Sequence, residues 1–122
     1  MRRKVSLNFN PKDQAGTTVT ETEFNQAIDA ILLGIEAKLD ACDTDIDTEC
    51  SAGILTLEFV DGSKIIINRQ TPTQEIWIAA KSGGYHYRLD QGQWINTRDG
   101  SELFSSLARF IHQQSGENIQ LR

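Results

Sequence analysis

Six carboxylates fall within fourteen residues, Glu36, Asp40, Asp43, Asp45, Asp47 and Glu49, with Lys38 as the one base among them. Asp45, Asp47 and Glu49 alternate with Ile46, Thr48 and Cys50, so an extended segment points the three acids the same way at intervals of roughly 6 to 7 Å. An oxygen-only ligand set suits hard cations such as Ca(II), Mg(II), Mn(II) and Fe(II) or Fe(III). The spacing is not that of an EF-hand loop and no histidine lies among the six, so any metal sites here are open, weak and rich in water. Two other readings stand beside this one: a solvated face that aids solubility, and a docking surface for an Arg- and Lys-rich protein patch.

The elements that position these groups follow from periodicity. Thr20 and Glu23 form a capping box, after which Phe24, Ile28, Ile31, Leu32, Ile35 and Leu39 recur at helical spacing, predicting a helix from Glu21 to Ala41. Its stripe is apolar, while Asp29, Glu36, Asp40 and Asp43 share a flank. The period then changes to two. Strands are expected at Ile46–Cys50, Ile54–Phe59, Lys64–Asn68, Glu75–Ala79, Tyr85–Leu89 and Trp94–Asn96, with Asp61-Gly62 supplying the positive φ angles of a hairpin turn. Leu103, Leu107, Phe110 and Ile111 mark a last helix that Gly116 stops. Strands in one run with a helix at each end predict an α+β fold, a two-layer sandwich in which about six antiparallel strands carry both helices on one face.

The acid is also the main departure in an otherwise average composition, 39% hydrophobic and 24% charged. Residues 1–19 hold Arg2, Arg3, Lys4 and Lys12 against Asp13, a balance of +3, which leaves −8 of the net −5 to residues 20–122. Residues 1–19 lack helical periodicity and read as a basic flexible extension; residues 20–122 read as the single domain. An acidic domain is a poor partner for nucleic acid, whose phosphates require basic patches. No apolar run approaches the roughly 18 to 20 residues of a membrane-spanning helix. Cys42 and Cys50 match neither a zinc spacing nor a Cys-x-x-Cys motif and are expected to be free thiols. No nucleophile-base pair or phosphate loop announces catalysis, and His86 and His112 are expected to be structural.

Trp77 is flanked by Ile76 and Ile78, which face the opposite way. Either the isoleucines fill the core and Trp77 lies on the open sheet face beside Asn68, Arg69 and Gln70, where Trp and Arg often anchor partners, or the burial is reversed. Trp94, next to Ile95 near a strand end, is expected to pack.

The segments Asn68-Arg69-Gln70-Thr71-Pro72, Gln74-Glu75-Ile76-Trp77-Ile78-Ala79 and Gly83-Gly84-Tyr85-His86-Tyr87, with Trp94 and the acidic helix-to-strand segment, resemble the frataxin family in its bacterial branch. The similarity spans about Thr20 to Arg122. It implies the helix-sheet-helix fold already read, and a mostly monomeric protein of the bacterial cytoplasm that binds iron weakly and modulates iron-sulfur cluster assembly without being an enzyme. By match, the iron-binding ridge falls on Glu36, Asp40, Asp43, Asp45, Asp47 and Glu49 and also meets a basic surface of the cysteine desulfurase. The sheet-face residues that meet the desulfurase and the cluster scaffold protein correspond to Asn68, Gln70 and Trp77, with Arg69 placed beside them. Direct iron donation to the scaffold, and ferroxidase activity with iron storage, are the alternatives. The ridge departs from the family pattern at Ala41, where another acid is common.

Overall fold

The computed structural model describes residues 20–121. The extension expected over residues 1–19 lies outside them. Helix α1 spans Glu21–Ala41. It starts with the capping box: Thr20 Oγ1 accepts from the Glu23 amide, and a Glu23 carboxylate oxygen accepts from the Thr20 amide, each at 3.0 Å. Its stripe of Phe24, Ile28, Leu32, Ile35 and Leu39 is buried.

Six strands follow in chain order as an antiparallel meander: β1 Asp47–Ser51, β2 Ile54–Glu58, β3 Lys64–Gln70, β4 Glu75–Ala80, β5 Gly83–Asp90 and β6 Gln93–Asn96. A 3-10 turn, Thr71–Thr73, containing Pro72, joins β3 to β4. Helix α2, Leu103–Ser115, closes the fold, and Gly116 at φ 79° returns its N–H to the His112 carbonyl. The expected strand ends shift by one or two residues. β5 gains Gly83, Gly84 and Asp90, and β3 runs on through Arg69 and Gln70 because these pair with Ile76 and Glu75 across β4.

The Asp61-Gly62 turn differs from its expected form. Only Gly62 takes a positive φ; Asp61 instead accepts hydrogen bonds from the Ser63 amide at 2.9 Å and hydroxyl at 2.7 Å. The two-residue turns with both central residues left-handed lie at Ala52-Gly53, φ 55° and 76°, and Gln91-Gly92, φ 51° and 83°.

One sheet face carries the core. Leu55, Leu57, Ile65, Ile67, Ile76, Ile78 and Tyr87 are fully buried against the helices. The Phe24 and Trp94 rings meet edge to face at 6.0 Å, and Tyr85 stacks on Phe110 from α2 at 4.6 Å. Trp94 therefore packs, as expected. The opposite face carries no helix among the described residues. It presents Lys64, Ile66 and Asn68 on β3, Trp77 and Ala79 on β4, and His86 and Arg88 on β5.

Candidate functional site: an acidic edge and an open sheet face

β1 is an edge strand, paired only with β2. Thr48, with core-side parity, reaches toward the helix, and its Oγ1 donates to Asp40 Oδ1 at 3.5 Å. Alternation then turns Asp47 and Glu49 the other way, onto the open face. The acidic residues thus straddle the sheet edge, Glu36, Asp40 and Asp43 along α1 and its end, Asp45 in the connection, Asp47 and Glu49 on the strand. Five are exposed and Glu36 is half-buried. None of the six takes part in an ion pair among the described residues.

The register adds a carboxylate that local spacing did not reveal. Glu58 stands opposite Asp47 on the open face, with Lys64 opposite Glu58 on its other side. Like charges facing across a strand pair are unfavourable by a few tenths of a kcal/mol. Charges along an edge strand do serve a structural end, because they discourage edge-to-edge pairing with another chain. The density here exceeds that need, since the connection and the helix flank are acidic as well. Among the described residues no three His, Cys, Asp or Glu side chains gather as a metal-binding group. The ridge is a field of separate carboxylates able to hold hard cations loosely, with water completing their shells, or to face a basic surface.

The second region lies mid-sheet. Ile76 and Ile78 are buried, so Trp77 stands on the open face, where Asn68 and His86 are its direct neighbours across the ladder. The Trp77 and His86 rings stack at 4.4 Å with 8° between planes. Beneath them Glu75, 8% exposed, accepts from Trp77 Nε1 at 2.8 Å and from Arg88 Nε at 3.1 Å, and the His86 Nδ1 lies 3.6 Å from its Oε1. Burial by itself raises the Glu75 pKa; the hydrogen bonds from Trp77 and Arg88 and the charges of Arg88 and His86 outweigh it and hold the carboxyl below its ordinary value. Sequence reasoning left His86 as structural and did not single out Glu75. Alternation along β4 puts Glu75 on the Trp77 face, but only the pairing of β4 with β5 brings His86 onto it.

Arg69 is corrected. It shares the parity of Ile65 and Ile67 and points to the helix side, away from Asn68, Gln70 and Trp77. Its guanidinium donates to Asn25 Oδ1 at 3.0 Å and pairs with Asp29 on α1. That pair also gives Asp29, expected on the acidic flank, a countercharge. Gly53 leaves room for the same guanidinium: a β-carbon there would lie 3.0 Å from Arg69 Nε. Asn68 and Gln70 remain on the open face, half-buried.

Cys42 is half-buried at the end of α1 and Cys50 is exposed on β1; neither is bridged. His112 is exposed in the last turn of α2. No helix among the described residues is long and apolar enough to cross a membrane.

Comparison with known proteins places the chain among relatives. A frataxin-like domain model matches residues 17–117. The iron-sulfur cluster assembly protein CyaY of Paraburkholderia phymatum is 48% identical over 103 residues, covering 84% of this chain and 98% of that protein. Frataxin from Psychromonas ingrahamii, studied within the CyaY protein family, superposes with a TM-score of 0.81 at 36% identity, covering 85% of this chain and 99% of that one. A trimeric frataxin from Saccharomyces cerevisiae, crystallised in a ferrous complex, gives a TM-score of 0.62 at 27% identity, covering 82% and 89%.

Proposed function

The chain belongs to the frataxin-like family, and on that premise we propose that it is an iron-binding regulator of iron-sulfur cluster assembly, docking on the cysteine desulfurase and scaffold complex through its acidic edge and open sheet face. The assembly role is supported by relatives named for it, and iron as the cation by the yeast relative in its ferrous complex. The observation that carries the reading is the ridge itself. Its carboxylates straddle an exposed edge without ion pairs among the described residues, an arrangement that costs the fold repulsion and becomes favourable only when an external positive charge arrives. Iron held by separate carboxylates is held weakly. Occupancy then tracks the iron concentration, and each bound cation reduces the negative potential available to a basic partner. Regulation follows from that competition, with the protein acting as a modulator rather than a catalyst.

The test is a desulfurase activity assay with and without the protein, across iron concentrations and ionic strengths. The reading expects an effect that weakens with salt, because exposed charges are screened within about 8 to 10 Å, and that is lost when Asp43, Asp45 and Asp47 are changed together to Asn. Iron titration and desulfurase response both unaltered in that triple variant would sink it. Iron reaching the scaffold from the loaded protein faster than from free Fe(II), with no desulfurase effect, would favour donation; catalytic oxygen consumption on Fe(II) addition would favour ferroxidase activity.

A further inference from the structure

The open face carries one polar network that the docking role of Trp77 does not by itself explain. Glu75 belongs to the solvent-side parity of β4, yet it is nearly covered, because Trp77 two residues on and Arg88 directly across β5 close over it. Both carboxylate oxygens are engaged, one by the Trp77 indole N–H at 2.8 Å and the other by Arg88 Nε at 3.1 Å. On the far side, the imidazole of His86 lies against the indole at 4.4 Å and 8°, with its Nδ1 3.6 Å from the oxygen that holds the indole. The indole is thus held twice, by its one polar atom and by one ring face.

Such a side chain on an open sheet would otherwise sample several rotamers. Ordering it on docking costs roughly two- to tenfold in affinity. We infer that Glu75 is the positioning residue of this surface: it fixes the Trp77 indole before a partner arrives and occupies its N–H, so that Trp77 meets the partner with apolar ring atoms. Hydrogen-bond recognition at the patch then falls to the neighbouring amides of Asn68 and Gln70 and to the exposed edges of His86 and Arg88, whose side chains are 48% and 61% exposed. The partner surface complementary to Trp77 is accordingly an apolar one, flanked on one side by groups that pair with amides and on the other by hydrogen-bond acceptors for Arg88 and His86. The depressed pKa of the Glu75 carboxyl is consistent with a group held charged for this purpose. The inference rests on the docking role proposed above for the sheet face, and deepens it.

The test is a double-mutant cycle with the cognate cysteine desulfurase as the probe, using Glu75→Ala, Trp77→Phe and the pair, with Glu75→Gln as the conservative variant. Desulfurase affinity is read alongside the indole N–H proton resonances, Trp94 serving as internal reference because it packs in the core. Glu75→Ala is expected to weaken binding about fivefold and to move the Trp77 indole resonance upfield while that of Trp94 stays. Glu75→Gln keeps an acceptor for the N–H and should recover most of both. In the Trp77→Phe background, Glu75→Ala should add less than about twofold, as a residue acting through the indole requires. An equal loss from Glu75→Ala in both backgrounds would overturn the inference, as would an unmoved Trp77 resonance. If Trp77→Ala leaves desulfurase binding intact, the docking role of the face fails instead, and the resonance arm still decides whether Glu75 positions the indole.

Discussion

Replacing Arg69 by Ala, alone and with Gly53→Ala, separates a cross-layer tie from a partner contact. The bond to Asn25 contributes about 1 kcal/mol, and the pair with Asp29, whose side chain is 61% exposed, about 0.5 kcal/mol after screening. The two stem methylenes that Ala lacks, in a side chain only 18% exposed, add about 1.5 kcal/mol. Against this, Ala recovers about 1.5 kcal/mol of side-chain freedom and about 1 kcal/mol from Nε, which is buried without a hydrogen-bond partner. The net loss for Arg69→Ala is about 0.5 kcal/mol, or a fall in Tm of about 2 to 4 °C for a domain near this size. Gly53→Ala meets two costs: about 1 kcal/mol for a side chain at φ +76°, and up to about 1.5 kcal/mol for pushing the guanidinium off Asn25 and Asp29. The second cost vanishes once Arg69 is gone. Urea unfolding should therefore give about 2 kcal/mol for Gly53→Ala alone but only about 1 kcal/mol when it is added to Arg69→Ala, a coupling near 1 kcal/mol. Desulfurase affinity, corrected for the folded fraction, should be unchanged throughout. Additive effects, or weakened binding by the Arg69 variant at full folding, would refute the assignment of this side chain to the helix interface.

Three further outcomes follow from the same geometry. Because the Glu75 pKa is depressed from its reference of 4.5, its contribution to stability is present above that pH and is lost as pH falls through the folded value; Glu75→Gln should flatten that part of an acid-unfolding profile. Burial raises the Tyr87 phenol above its reference of 10.0, with the neighbouring Ser106 and Asn96 side chains opposing in part although no hydrogen bond is made to its buried hydroxyl, so its stabilisation is complete below about pH 10 and lost as pH rises toward the folded value; Tyr87→Phe should remove that alkaline loss in a pH series of unfolding curves. Asp47→Asn relieves the repulsion with Glu58 and should raise stability by a few tenths of a kcal/mol at low salt, with the gain shrinking in about 0.5 M salt.

What the sequence made legible was whatever depends on neighbours along the chain. The span of α1 follows from its capping box and stripe, whereas the isoleucines beside Trp77 showed only that it faces away from them, and their burial in the fold decides that it lies on the open face. The side taken by Arg69 did not, because β3 was expected to end at Asn68 and a residue past a strand end has no defined face; its continuation is set by pairing with Ile76, seven residues away. The Ala52-Gly53 turn was missed for a related reason. Alanine seldom accepts a positive φ, and the requirement comes from the short connection between Ser51 and Ile54, which pair across the hairpin. The acidic ridge was readable as a charge count and a strand alternation, but its wrapping around the sheet edge, and the arrival of Glu58 within it, depend on β1 lying at that edge. Glu75 was hidden most completely. A glutamate of solvent-side parity reads as exposed until Trp77 and Arg88 are seen to cover it.

Under the proposed docking role, the two surfaces differ in the range over which they act, and that difference would order the events of docking. The ridge is exposed and unpaired among the described residues, so its field extends about one Debye length and is felt before contact; such charges act mainly on the rate of encounter and on its salt dependence. The Trp77 patch has no long-range field of its own, since Glu75 is balanced there by Arg88. Its contribution arises on contact, through apolar area on a side chain already held in place, and is expressed mainly in the rate of dissociation. Iron bound on the ridge would then slow arrival at a basic partner while leaving the lifetime of the complex largely to Trp77. A regulator of the proposed kind would respond to iron through how often it docks rather than through how long it stays, which would require loose metal sites and a rigid sheet face. Separate carboxylates along an edge and an indole anchored on a covered glutamate meet those two requirements in different parts of one fold.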